Sequence, residues 1–135
     1  MTRYAKGANA ERELIHELFN RGFSVVRVAG SGKTALPAPD IIALSQQKKL
    51  AFECKAWSSS SVAIPLEQMR ELVQWCERAG VEPFVAWKFP REGWFFLKPG
   101  HFTKTEKAYN CTKRNALKQR LNLDVIAGRQ ATLKN

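Results

Sequence analysis

The chain has three cysteines and two histidines in 135 residues, and each scarcity excludes a class of chemistry. Cys54, Cys76 and Cys111 are odd in number and widely spaced, so they match neither a disulfide framework nor a zinc site built on C-x-x-C pairs. They read as small apolar residues suited to a reducing compartment. His16 and His101 have no partners spaced for catalysis or metal binding and read as surface or boundary residues. No apolar run approaches the roughly 18 residues of a membrane span, and no window resembles a signal peptide. A soluble, cytoplasmic, nucleoid-associated protein without membrane contact is therefore expected. Internal repeats are absent, and the single low-complexity stretch, Ser58 to Ser61, reads as a flexible connection.

Acidic residues are also short, 12 against 22 Lys and Arg, which gives a net charge of +10 and a pI near 9.9. Such a surplus points to a polyanionic partner. It gathers late: His101 to Asn135 holds eight Lys or Arg against two acids. A membrane surface is the rival polyanion, but there is no basic amphipathic helix with large apolar anchors and no lipidation motif. Nucleic acid is favoured. The length fits a single domain, 1–135, whose basic segment from about 101 to 135 follows no regular pattern.

Against these absences stands one dense constellation, Pro39-Asp40 followed by Glu53-Cys54-Lys55. Asp40 opens an apolar run, Ile41 to Leu44, that reads as a strand. Gln46 to Lys49 is polar enough to turn the chain into a second strand, Leu50 to Trp57. Side chains alternate across a strand, so Glu53 and Lys55 share a face that Cys54 does not. Antiparallel pairing brings Asp40 beside Glu53 and Lys55. Two hard oxygen ligands with a cation at hand suit Mg²⁺, which takes one or two carboxylates and completes its shell with water and phosphate oxygens. An ordinary solvated ion pair is the plainer reading of Glu-x-Lys; the apolar neighbours Phe52, Cys54 and Trp57 argue for a central strand, where charge is seldom kept without purpose.

Around the hairpin the pattern is that of a compact α/β unit. Ala10, Leu14, Ile15, Leu18 and Phe19 recur at helical spacing, Arg21-Gly22 ends that helix, and Phe23 to Val28 reads as a strand. Pro65 opens a second helix with Leu66, Met69, Leu72, Val73 and Cys76 on one face and Gly80 as its stop. Strands follow at Pro83 to Phe89 and Gly93 to Leu97, and Leu123 to Leu133 reads as a short terminal helix. Glu11 lies along the edge of the first helix's apolar stripe and needs a partner: Arg12, Arg27 or a metal at Asp40 and Glu53. A favourable interaction with the helix dipole is the remaining alternative.

These residues resemble a known family. Lys6-Gly7-Ala8-Asn9-Ala10-Glu11-Arg12, Gly22 to Arg27, Ala29-Gly30-Ser31, Pro39-Asp40-Ile41, Glu53-Cys54-Lys55 and Val85 to Phe89 are similar, in order and spacing, to the archaeal Holliday-junction resolvases of the PD-(D/E)xK nuclease superfamily. The resemblance implies a restriction-endonuclease-like mixed sheet flanked by helices, in the order αβββαββ with a short C-terminal helix. It implies an endonuclease acting on four-way junction DNA with one or two Mg²⁺ per subunit and no nucleotide cofactor. Glu11, Asp40, Glu53 and Lys55 fall on catalytic positions, the three carboxylates as metal ligands, and Ser31 on a loop serine. Lys6, Arg12, Arg27, Lys33 and Lys88 become DNA-contacting candidates. The family's two-fold homodimer makes Trp75, about 120° off the second helix's apolar stripe, a candidate interface residue rather than an isolated surface aromatic. Phe102 to Arg120 has no counterpart in the pattern.

Gly30-Ser31-Gly32-Lys33-Thr34 imitates a phosphate-binding P-loop, but Arg27 stands where that motif needs glycine, and Pro37 and Pro39 interrupt any following helix. Two other classes compete with a junction endonuclease. A restriction or repair nuclease of the same superfamily would be expected to add a recognition module, and a non-catalytic DNA-binding protein would be expected to lose Asp40, Glu53 or Lys55.

Overall fold

A computed structural model describes residues 3–28, 36–56, 59–119 and 121–128, with side chains from Gly7 onward. Helix α1 (Arg3–Asn20) buries Ala10, Leu14 and Leu18, which recur at the spacing that gives a helix one apolar face. Phe19, one residue past Leu18 and so turned about 100° from it, is 68% exposed rather than part of the stripe. Gly22 ends the helix at a φ of 93°, a conformation costly for any residue with a Cβ.

Strands β1 (Ser24–Arg27), β2 (Ile41–Leu44) and β3 (Lys49–Ala56) form an antiparallel meander. The chain then passes through β4 (Ser61–Pro65) and α2 (Leu66–Ala79) before β5 (Glu82–Phe89) returns parallel to β3 and β6 (Gly93–Leu97) pairs antiparallel to β5. The order across this mixed sheet is β1-β2-β3-β5-β6. A sheet with helices on both faces needs two cores. One gathers Leu14, Leu18, Phe23, Ile41, Phe52, Phe84 and Phe96. The other gathers Val62, Ile64, Met69, Leu72, Cys76, Val85 and Trp87. Each such large side chain contributes about 1.5–3 kcal/mol by leaving water. Among the described residues no helix is long and apolar enough to cross a membrane.

The expected mixed sheet is present, with more elements than its pattern announced. A second sheet, β4-β8-β7, is built from Ser61–Pro65, Ala108–Thr112 and Thr103–Lys104. Helices α3 (Lys113–Gln119) and α4 (Leu123–Ile126) close the described chain. Ser61 therefore begins a strand, and Pro65 ends that strand as the N-cap of α2, at φ −53° and ψ 144°, instead of occupying the first helical turn. Cys111 and Ala116 carry the late segment into the second core. Asn122 caps α4 by accepting from Val125 N at 2.9 Å. Arg21 binds Asp124 at 2.8 Å and so ties α4 to the end of α1. Gly128, at a φ of 82°, follows α4, and the rest of the expected terminal helix lies outside the described residues.

Candidate active site

Ile41 pairs with Phe52, so the residue before one stands opposite the residue after the other: Asp40 opposite Glu53. Asp40 N donates to Phe52 O at 2.9 Å, and Asp40 O accepts from Val28 N at 2.9 Å. Its Oδ2 accepts from Cys54 N at 2.8 Å, a side-chain oxygen continuing the ladder where the β2 backbone stops. The aspartate is thus fixed at both backbone and carboxylate.

On β3, Glu53 and Lys55 point to the α2 side while Cys54 packs toward α1. Parallel pairing sets Val85 and Trp87 of β5 beside them, both fully buried, so the floor under the charged pair is apolar. Burial, the nearby Asp40 carboxylate with its hydrogen bond, and Glu11 push the Glu53 carboxyl up to about 8, with Lys55 pulling the other way. The Cys54 thiol is pushed well above its usual range, first by burial and then by Asp40, Glu11 and Glu53. Cys54 is a protonated, unreactive neighbour of the site.

Glu11 reaches toward this cluster from α1 and accepts from Arg27 Nε at 2.9 Å. Of the two basic partners its position on the helix left open, Arg27 is the one in contact. Arg12 is exposed and donates to Asn9 Oδ1 at 2.9 Å. Among the described residues, no three His, Cys, Asp or Glu side chains converge on one point able to hold an ion. Asp40 and Glu53 nevertheless fit a hard divalent cation. They are oxygen donors in hydrogen-bond contact, and their crowded negative charge, visible in the raised Glu53, is what such a cation relieves.

Gln68, in the first turn of α2, is a site residue that no motif in the sequence marks. Its Oε1 accepts from Lys55 Nζ at 3.2 Å and its Nε2 donates to Glu53 Oε2 at 3.1 Å. The sole hint in the sequence is its place next to Met69 on the buried stripe; a glutamine at that boundary looks like any other helix residue.

Other candidates sit elsewhere. Lys88 is bound to Glu13 and lies 5.7 Å from the Trp94 ring, with Trp94 Nε1 also donating to Glu13 at 3.2 Å. His101 turns its Nδ1 onto Lys98 N at 3.0 Å, a local cap. Trp75 is half-buried against the second core. It also lines a groove of about 440 Å³ with Leu36, Pro37, Glu71 and Arg78. Ser31, Lys33 and Trp57 lie outside the described residues, as does the Lys6 side chain.

Comparison with known proteins identifies the family. Residues 2–133 match the family described as archaeal Holliday junction resolvase (Hjc). The crossover junction endodeoxyribonuclease Hjc of Archaeoglobus fulgidus is 36% identical over 105 residues, covering 78% of this chain and 77% of that protein. Its counterpart from Methanocaldococcus jannaschii is 35% identical over 112 residues, covering 83% and 80%. Among solved structures, the A. fulgidus Hjc resolvase superposes with a TM-score of 0.83 at 31% identity, covering 92% of this chain and 97% of that one. A bacterial homing endonuclease, at TM-score 0.61 and 15% identity over 98% and 96%, shares the fold. The chain belongs to the archaeal Holliday junction resolvase family.

Proposed function

We propose that the protein is a structure-selective endodeoxyribonuclease that resolves four-way DNA junctions in the cytoplasm by paired phosphodiester hydrolysis. The observation that carries the reading is the convergence of Asp40 and Glu53, beside Lys55, at one end of the β2–β3 hairpin. Asp40 and Glu53 hold one or two Mg²⁺ per subunit. When bound, the metal stabilises charge on the scissile phosphate and lowers the pKa of a coordinated water.

The chain's own groups supply the rest. The Lys55 ammonium faces the negative charge that grows on the phosphate and orients the attacking water. Glu11, now paired with Arg27, would be a further ligand to the metal, and Arg27 would then be the guanidinium available to a phosphate oxygen. Arg12, Lys88, Lys6 and Lys33 contact phosphates, and Ser31 takes part in catalysis. The products carry 5′-phosphates. Two sites related by a dimer axis match the two-fold symmetry of a four-way junction.

The test is cleavage of a synthetic four-way junction beside a duplex of the same sequence, with Mg²⁺ and with EDTA. Paired nicks in the junction alone, abolished by EDTA, are expected. Equal cutting of the duplex would overturn junction selectivity, and cutting in EDTA would overturn the metal.

A further inference from the structure

We propose that Gln68 is a positioning residue for the cleavage reaction, an amide that fixes Lys55 and Glu53 relative to one another. The inference rests on the site reading of Asp40, Glu53 and Lys55. Its basis is the two-sided contact: Oε1 accepts from the Lys55 ammonium at 3.2 Å, and Nε2 donates to Glu53 Oε2 at 3.1 Å. One amide orientation satisfies both neighbours. The flipped one would set an NH₂ against an ammonium and a carbonyl against a carboxylate. Gln68 therefore tells the two apart; its bond from the Lys55 ammonium is charge-assisted, and its bond to Glu53 becomes so once that carboxyl ionises.

The need for such a device follows from the strand. Glu53 and Lys55 are two residues apart on one face of β3, about 7 Å along it, and a lysine stem is long and flexible. An ammonium that swings from its station takes up carboxylate charge intended for a metal and leaves the reacting phosphate without its cation. Gln68 sits in the first turn of a 14-residue helix whose Met69, Leu72 and Cys76 are buried, so the amide is carried by a rigid element. Groups that orient metal ligands in this way typically change metal affinity or activity by about 10–100-fold when removed.

Gln68→Met keeps length and helix propensity and removes both hydrogen bonds. Gln68→Glu keeps an acceptor for Lys55 and gives up the donor to Glu53. Full-length protein is assayed for single-turnover cleavage of a prebound four-way junction, junction affinity in EDTA, Tm, and the rise in Tm produced by Ca²⁺ without DNA. In Gln68→Met the cleavage rate should fall about 10–100-fold, with Tm and junction affinity in EDTA unchanged and the Ca²⁺-induced rise in Tm reduced. Gln68→Glu should fall between wild type and Gln68→Met in rate.

Cleavage by Gln68→Met at the wild-type rate overturns the proposal. A slow variant whose Tm or junction affinity falls in step overturns it too, because the residue would then be structural. If Lys55→Ala cuts like wild type, the site reading itself fails, an outcome distinct from a silent Gln68→Met in a protein where Lys55→Ala is dead.

Discussion

Glu53 sits above Val85 and Trp87, which give it no water, and beside Asp40, which gives it a second negative charge. Its folded pKa of about 8 lies above the ordinary 4.5, so its ionisation works against folding. The metal-free protein is therefore stabilised fully below the unfolded value and loses that contribution as pH rises through about 8. Melts in EDTA should show Tm falling between about pH 5.5 and about pH 8. Mg²⁺ should restore more of it at the higher pH, because binding requires the carboxylate. Glu53→Gln should flatten the profile; a wild-type profile already flat would contradict the burial argument. At neutral pH, Asp40→Asn or Glu53→Gln should abolish cutting by removing a metal ligand and leave junction binding intact, or tighter where the ligand lost was an ionised carboxylate that repels phosphate. Lys55→Ala should likewise lose turnover while retaining affinity, and near wild-type cutting by any of the three would remove that residue from the site.

Among the elements, those with a strong period were legible in the sequence and those without one were not. The parallel pairing of β5 with β3 carries no local signal, whereas the hairpin that aligns Asp40 with Glu53, the α1 stripe apart from Phe19, and the strands at Pro83 to Phe89 and Gly93 to Leu97 followed from apolar periodicity and turn residues. The second sheet did not, because β7 is two residues long and β8 spends Ala108, Tyr109 and Asn110 at half-buried positions with no clean alternation. Strand β4 hid behind a serine run and a proline that usually marks a helix start. Gln68 was unreadable for a different reason: its significance lies in a contact between α2 and β3, and one sequence has no pattern for that. Gly80 was legible and is testable. It ends α2 at φ 70°, with its N–H bonded to Cys76 O, where an added Cβ meets no atom within 4 Å. Gly80→Ala should thus cost only backbone conformational energy, about 1 kcal/mol, read by denaturant unfolding with the m-value unchanged.

For the whole molecule, the late basic segment is part of the fold, since Cys111 and Ala116 are core residues and truncation after Phe102 would remove them. Lys104, Lys107, Arg114 and Lys118 are exposed, so replacing them with glutamine tests charge without touching the core. The slope of log affinity against log salt should flatten by about 0.9 for each phosphate that these side chains no longer neutralise; an unchanged slope would assign this charge to solubility. The proposed dimer would bear on junction specificity most directly. Two sites acting in one complex cut both strands before release, whereas a monomer nicks once and leaves the substrate to relax. Trp75 lines its groove beside Leu36, which is 74% exposed, and apolar surface of that kind is suited to self-contact. The outer edge of β6 is a weaker candidate, because Phe96 N already donates to Leu121 O at 3.2 Å. Trp75→Glu places an unpaired charge in the contact twice, once from each subunit. Sedimentation should then report monomer, and a supercoiled cruciform plasmid should yield nicked circles where the wild type yields linear product. A Trp75→Glu protein that stays dimeric and still linearises the plasmid would move the interface to the β1 edge of the sheet, where Val26 is 54% exposed.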